Sequence, residues 1–195
     1  MRNFLNYKLI LGSSSFWRKK TLTELGYTFE TMSPDIDEKA IRLADPKELV
    51  LALGKAKAAA LLSKINEPAI LITSDQVGVY NGEIREKPEN KEQVFEFFKS
   101  YELAPIETFT SVVVSNTKTG EQLFDVDIAK VYFKPISDEI INQLLEQGNV
   151  FSWAGGFAID DPLLEPLVEK IEGSKTSVNG LPAELLEKLL NEIKL

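Results

Sequence analysis

The sequence predicts an α/β protein built on a mixed, twisted β-sheet with flanking helices. Short apolar runs alternate with helical patterns, as where Lys8–Leu11 is followed by a helical pattern over residues 16–25. This alternation is typical of crossover units with parallel strands. Asn81 and Gly82 suit a tight hairpin turn, and the second half of the chain contains two β-rich runs separated by a longer hairpin loop at 116–120. Antiparallel pairs are therefore expected beside the parallel strands.

The elements of the first half follow from local signals. The helix over 16–25 is expected to end at Gly26, and a second strand is expected at 27–32. Asp45 as N-cap with Pro46 at the first helical position predicts the start of a long helix.

The elements of the second half are read in the same way. They are a strand that follows Gly82 and reaches Lys87 and Pro88, a helix at 91–99, strands at 108–115 and 121–133, a helix capped by Ser137 that ends before Gly148, and a last amphipathic helix at 183–193.

Composition limits the chemistry that this chain can perform. With 195 residues, it can form one sizeable domain or two small lobes. It contains no cysteine and no histidine, so thiolate sites and the commonest general base are excluded. Proton transfer falls to Asp, Glu, Lys or Tyr, and a bound metal should be a hard cation such as magnesium or manganese.

The net charge of −8 opposes general binding to nucleic-acid backbones or to anionic membranes. The N-terminus lacks the pattern of a signal peptide, and no apolar run approaches the roughly 20 residues of a membrane span. We expect a cytoplasmic protein that binds neither nucleic acid nor membrane.

Two apolar runs end abruptly in polar residues. The run from Ala69 ends in Thr73, Ser74, Asp75 and Gln76, and a carboxylate at the end of a buried strand is expected to be exposed at the rim of the sheet, where α/β proteins bind ligands. The run Lys8–Leu11 gives way to Gly12, three serines and a cationic helical turn. Such a segment offers phosphate-binding groups.

Lys57 lies four residues after Leu53, on the apolar stripe that also includes Leu49, Val50, Ala60 and Leu61. It should therefore face inward. A lysine in such a place can bury its stem and keep its charge in water, or it can bind phosphate. The pattern leaves both interpretations open.

The chain resembles the Maf family, once described as septum-formation inhibitors and understood as nucleoside triphosphate pyrophosphatases. The likeness covers nearly the whole chain and depends on seven motifs in the family's order. These are LILGSSSFWRKKTL from Leu9, SPDIDE from Ser33, LGKAKA around Lys57, TSDQV from Thr73, GEIREKP from Gly82, AGGFAI from Ala154 and NGLP from Asn179.

The resemblance implies an inosine-triphosphatase-like fold with a cleft between two lobes, and a homodimer. It also implies hydrolysis between the α and β phosphates of a nucleoside triphosphate. The implied roles are phosphate binding by Ser13, Ser15 and Arg18, charge neutralisation by Lys57 and Lys87, proton acceptance by Asp75, and magnesium binding by Glu38 with Asp75. Asp35 and Asp37 lie beside Glu38, so the acid that reaches the metal is left open.

Base specificity is implied by three further positions. Trp17, Gln76 after Asp75, and Asp160 resemble the subgroup that acts on 7-methyl-GTP, although the acid of that subgroup is typically Glu. An indole face attracts the positively charged 7-methylguanine ring, and a carboxylate can accept its N–H donors. Trp17 could instead be a helix residue buried in the core.

Three alternatives remain at this point. The nearest is hydrolysis of dTTP, UTP or another non-standard nucleotide. A second is a nucleotide-binding regulator of cell division without catalysis. The third is a haloacid-dehalogenase-type phosphatase that uses Asp125 and Asp127, which would release phosphate rather than pyrophosphate.

Overall fold

The computed structural model describes residue 4 and residues 7–195, in which the chain divides into two compact units. Unit one comprises the described residues up to Asp75, together with Thr110–Asp127 and Asn179–Leu195. Unit two comprises Gln76–Phe109 and Ile128–Val178. The sequence expectation of one domain with two lobes around a cleft stays a prediction.

The strands are β1 (Lys8–Leu11), β2 (Glu30–Thr31), β3 (Ala69–Tyr80), β4 (Glu83–Arg85), β5 (Ile106–Asn116), β6 (Gln122–Phe133) and β7 (Val168–Glu172). The helices are α1 (Phe16–Glu24), α2 (Pro46–Leu62), α3 (Lys91–Tyr101), α4 (Asp138–Gln147), α5 (Lys175–Val178) and α6 (Ala183–Glu192). In the part of the chain that the structure describes, no helix combines the length and the apolar character needed to cross a membrane.

The strands form one mixed sheet in the order β2-β1-β3-β5-β6-β7, and β4 also pairs with β3. β1 runs parallel to both β2 and β3, whereas β4 is antiparallel to β3 and β7 is antiparallel to β6. The predicted α/β class with a mixed sheet is thus confirmed. The predicted Asn81-Gly82 turn is also present, because both residues have positive φ and Tyr80 pairs with Glu83 across it.

Unit one has a core on each face of its part of the sheet. On one face, Ile70 and Ile72 of β3 pack with Leu22 of α1 and with leucines of α6. On the other face, Leu71 packs with Leu61 of α2. Because side chains alternate along a strand, neighbouring residues of β3 meet different helices.

Unit two has one core, which the helices α3 and α4 share with the strands of that unit. Phe98 and Tyr101 of α3 pack with Phe133 of β6 and Ile141 of α4. Tyr101 stacks against Phe133 with ring centroids 6.1 Å apart, and its hydroxyl donates to the Gly155 carbonyl oxygen at 2.8 Å. The burial of Tyr101 raises the pKa of its phenol.

Two predicted strands were too long. The second strand covers only Glu30–Thr31 instead of 27–32, because Gly26 turns the chain at positive φ and Tyr27 donates its N–H back to Leu22 at the end of α1. The strand after Gly82 ends at Arg85 and does not reach Lys87 or Pro88. Proline has no N–H to contribute to a sheet.

The prediction that Asp75 ends a strand at an exposed rim was wrong. β3 continues for five residues beyond it, to Tyr80, and Asp75 is only 6% exposed. The strand continues because Val77 and Val79 are buried in their turn. Thr73 and Ser74 before Asp75 are completely buried too, so this polar stretch lies within the strand rather than at its end.

Candidate active site

In unit one, two carboxylate side chains contact the ammonium group of Lys57, and the three residues form a charged cluster. Lys57 Nζ contacts Asp75 Oδ1 directly and lies 2.9 Å from Glu38 Oε1. The side chains of Lys57 and Asp75 are each 8% exposed, whereas that of Glu38 is 49% exposed. A nearly buried ion pair therefore opens to solvent on the side of Glu38.

Helix α2 places Lys57 in this cluster by packing unusually close to the sheet. A Cβ atom on Gly54 would lie 2.8 Å from Ser111 Oγ, nearer than real Cβ atoms approach a neighbour. The Thr73 hydroxyl donates to the Gly54 carbonyl oxygen at 2.8 Å, and the Ser111 hydroxyl donates to that of Val50 at 2.7 Å. Lys57 follows Gly54 by three residues and so lies near the face that these contacts hold.

Ser111 also holds the backbone of Asp75, whose N–H donates to Ser111 Oγ at 3.1 Å. The same serine thus contacts both the strand that carries the carboxylate and the helix that carries the lysine. Lys57 is buried, as its place on the stripe predicted, and so are Leu49, Val50, Leu53 and Leu61. Ala60, which was also placed on the stripe, is only partly buried, and Ala58 is buried in its stead.

The segment after β1 places a second cation near the cluster. Ser15 is the N-cap of α1, and its side chain accepts from Arg18 N. The Ser13 hydroxyl oxygen accepts from Ser15 N at 3.1 Å and from Arg18 Nη1 at 3.4 Å. Arg18 Nε donates to the Gly180 carbonyl oxygen at 2.9 Å. The structure thus brings Ser13, Ser15 and Arg18 together at the N-terminus of α1.

Burial and neighbouring charges act in opposite directions on the ionisable groups of this site. Burial raises the pKa of Asp75, while Lys57 and Arg18 lower it and Glu38 raises it further. Burial lowers the pKa of Arg18, and the charges of Asp75 and Glu38 oppose that shift. The net result is a carboxylate with raised proton affinity beside two cations.

Of the three acids after Pro34, Glu38 is the one that contacts Lys57. Asp37 caps the short 3-10 turn Glu38–Ala40 by accepting from Lys39 N at 3.1 Å, and Asp35 is exposed. Within the described residues, no group of three or more acids could hold a metal ion. Glu38 and Asp75 do converge on one cation, the ammonium of Lys57. They would fit a metal that takes its remaining ligands from phosphate oxygens and water.

Trp17 is only partly buried, so it is not the fully enclosed core residue of the alternative interpretation. Its indole packs edge-on against the ring of Phe16, with centroids 5.1 Å apart, and Lys20 Nζ lies 5.3 Å from its ring centroid. Phe16 itself is 68% exposed. The start of α1 therefore presents two aromatic side chains beside Arg18.

Unit two contains the other three predicted site residues. Lys87 is exposed in the loop after β4. Asp160 Oδ1 lies 2.5 Å from Lys175 Nζ. The side-chain amide of Gln76 donates to the carbonyl oxygens of Ser177 at 2.8 Å and of Val178 at 3.1 Å. Gln76 and Asp160 thus each contact the short helix α5.

The family profile described as "Maf-like protein" matches residues 8–193 of this chain. The chain belongs to the Maf family. A "7-methyl-GTP pyrophosphatase" from Dictyostelium discoideum is 48% identical over 95% of this chain and 96% of its own length. A protein of the same name from Vibrio vulnificus is 35% identical, over 91% of this chain and 90% of its own length. A "dTTP/UTP pyrophosphatase" from Vibrio vulnificus is 33% identical over 95% and 98% of the two lengths.

Sequence reasoning found the charged residues of this Maf protein but missed those that hold them in place. Gly54 of α2 accepts a hydrogen bond from Thr73 of β3, and Ser111 of β5 donates one to Val50 of α2. Ser74 of β3 and Arg18 both donate to the carbonyl oxygen of Gly180. Gly54 and Gly180 lie within motifs that carried the resemblance to the Maf family. A glycine inside a helix next to a buried lysine is the local signal that could have indicated close packing at Gly54.

Proposed function

We propose that this protein is a nucleoside triphosphate pyrophosphatase that hydrolyses the bond between the α and β phosphates. The observation that carries the proposal is the buried carboxylate of Asp75 beside the cations Lys57 and Arg18. A carboxylate with raised proton affinity suits the activation of water, and two cations suit a substrate with several phosphate charges. The names of the relatives support the same reaction class.

In the proposed reaction, Asp75 accepts a proton from water, and the water oxygen forms a bond to the α phosphorus. The bond from that phosphorus to the bridging oxygen breaks, so the products are a nucleoside monophosphate and pyrophosphate. Arg18 and the N–H groups at the start of α1 bind phosphate oxygens, with Ser13 and Ser15. Lys57 and Lys87 neutralise the charge that develops on the leaving pyrophosphate.

We also propose a role for magnesium or manganese, held by Glu38 and Asp75 together with phosphate oxygens of the substrate. Such a cation would withdraw charge from the phosphates when bound. Chelation with EDTA is expected to abolish pyrophosphate release, and added magnesium should restore it.

The variant Glu38→Gln tests whether Glu38 is the acid of this loop that binds the metal. It should raise the magnesium concentration for half-maximal activity by about tenfold or more, since even indirect partners of metal ligands cost that much. Asp35→Asn in the same loop is the matched control and should leave that concentration unchanged. Full activity in EDTA would contradict the metal proposal.

Among nucleotides, we propose 7-methyl-GTP as the preferred substrate. The relative with this name is 48% identical to the chain, against 33% for the dTTP/UTP enzyme. Trp17 is only partly buried, and an indole face binds a cationic base better than a neutral one. Gln76 and Asp160 are proposed to complete the selection of the base.

Pyrophosphate release from a panel of 7-methyl-GTP, GTP, UTP and dTTP tests this function. We expect the highest kcat/KM with 7-methyl-GTP and a loss of about 5- to 30-fold for that substrate in Trp17→Ala, in keeping with a cation–π contact of ~1–2 kcal/mol. UTP should lose less, because uracil carries no charge. Leu103→Ala, at an exposed position in unit two, serves as a control.

Each alternative has its own outcome in the same assay. Faster turnover of UTP than of 7-methyl-GTP would favour the dTTP/UTP activity. Nucleotide binding without release of any product would favour the regulator. Release of phosphate instead of pyrophosphate would favour the phosphatase that uses Asp125.

A further inference from the structure

The carbonyl oxygen of Gly180 accepts two hydrogen bonds from side chains. Arg18 Nε donates to it at 2.9 Å, and the hydroxyl of Ser74 donates at 2.8 Å. All three residues belong to unit one, and both Ser74 and Gly180 are buried. Gly180 lies in the NGLP motif, to which the proposed reaction assigns no role.

The local backbone limits the directions that this carbonyl can take. Gly180 has φ +88°, a region that glycine adopts readily and that strains other residues. The following Leu181 is fully buried and packs in the same core as the leucines of α6, and Pro182 is the N-cap of α6. The loop therefore allows the carbonyl oxygen few directions, and the hydrogen bond from Ser74 holds it in the one that meets Arg18.

This arrangement fixes the orientation of the Arg18 guanidinium. Its Nε–H donates to the carbonyl oxygen of Gly180, and one N–H of Nη1 donates to the hydroxyl oxygen of Ser13. Among the described residues, the other three of its five N–H groups have no hydrogen-bond partner. A long side chain that is already oriented loses less conformational entropy when it binds a ligand.

We infer that Ser74 and Gly180 are positioning residues that hold Arg18 with its open N–H groups directed at the phosphates of the substrate. The inference rests on the proposed function, because it takes Arg18 as a phosphate-binding residue. Ser74 lies next to Asp75 in β3, so this hydrogen-bonded link also ties the position of Arg18 to the strand that carries the catalytic carboxylate.

The variant Ser74→Ala tests the inference through substrate binding. Without the hydroxyl, the Gly180 carbonyl and Arg18 can move. We expect the KM for 7-methyl-GTP and the Kd for inorganic pyrophosphate, measured by titration calorimetry, to rise about tenfold, with kcat changed less than about threefold. Gly180→Ala strains the backbone that directs the same carbonyl. It should likewise raise the KM and the Kd while changing kcat little.

Tyr27→Phe is the control, because it removes a partly buried hydroxyl that donates to Glu187 of α6 in the same unit and does not contact Arg18. It should leave KM and Kd unchanged.

A double-mutant cycle separates positioning from a general loss of structure. In an Arg18→Ala background, Ser74→Ala should have no further effect on the Kd for pyrophosphate, because the group through which it acts is gone. An undiminished tenfold effect in that background would overturn the inference, and so would an unchanged Kd in the single variant. Failure of the proposed function differs from both, since the unaltered protein would then release no pyrophosphate from any nucleotide.

Discussion

Replacement of Asp75 by Asn is expected to lower kcat for pyrophosphate release by about 10²- to 10⁴-fold, the contribution that a positioned general base makes. The amide has nearly the same shape as the carboxylate but cannot accept a proton from water. Arg18 and Ser13 keep their own contacts in this variant. The affinity for pyrophosphate, measured by titration calorimetry, should therefore fall by less than about tenfold.

Asp125→Asn is the control for this experiment. Asp125 lies in the same unit, is exposed, and has Lys188 Nζ 3.9 Å away. Its replacement should leave the rate unchanged, because exposed ion pairs contribute little. A normal rate in Asp75→Asn would show that another group activates the water, and a loss of activity in Asp125→Asn would favour the phosphatase alternative.

The parts of the fold that sequence predicted well are those that local signals determine. The Asp45 side chain accepts from Glu48 N at the start of α2, as its N-cap role requires, and the Asn81-Gly82 turn is present. The strand predicted at 27–32 is present but shorter, because Tyr27, with a strand-forming side chain, packs instead beside the end of α1 and bonds Glu187. That choice depends on distant residues, and a local pattern does not contain it.

In the candidate site, too, sequence predicted the features that local patterns determine and missed those that depend on distant residues. The helical stripe correctly predicted that Lys57 faces inward, because helical periodicity is a local property. The polar run around Asp75 was misread as the end of a strand. Thr73, Ser74 and Asp75 can remain buried in the sheet only because partners from α2, β5 and the Gly180 loop receive their polar groups. Those partners are far away in sequence.

Replacement of Lys57 by Met should affect both stability and catalysis. The side chain is of similar length and fits an apolar stripe, but it leaves the buried carboxylate of Asp75 beside Glu38 without its ammonium partner. Removing one member of a buried ion pair costs about 3–5 kcal/mol of unfolding free energy. We expect a loss of that size in urea denaturation, and a fall of kcat by about 10²- to 10³-fold, because developing phosphate charge is no longer neutralised.

Lys55→Met in the same helix is the matched control, since Lys55 Nζ lies over the ring of Phe124 at 3.4 Å and not among carboxylates. It should cost about 1 kcal/mol or less and leave kcat unchanged. Adding Asp75→Asn to Lys57→Met should restore part of the lost stability, because no unpaired buried charge then remains at Asp75. Additive losses in the double variant would mean that the two side chains do not stabilise each other. In that case the geometry of the cluster would contribute to substrate binding alone.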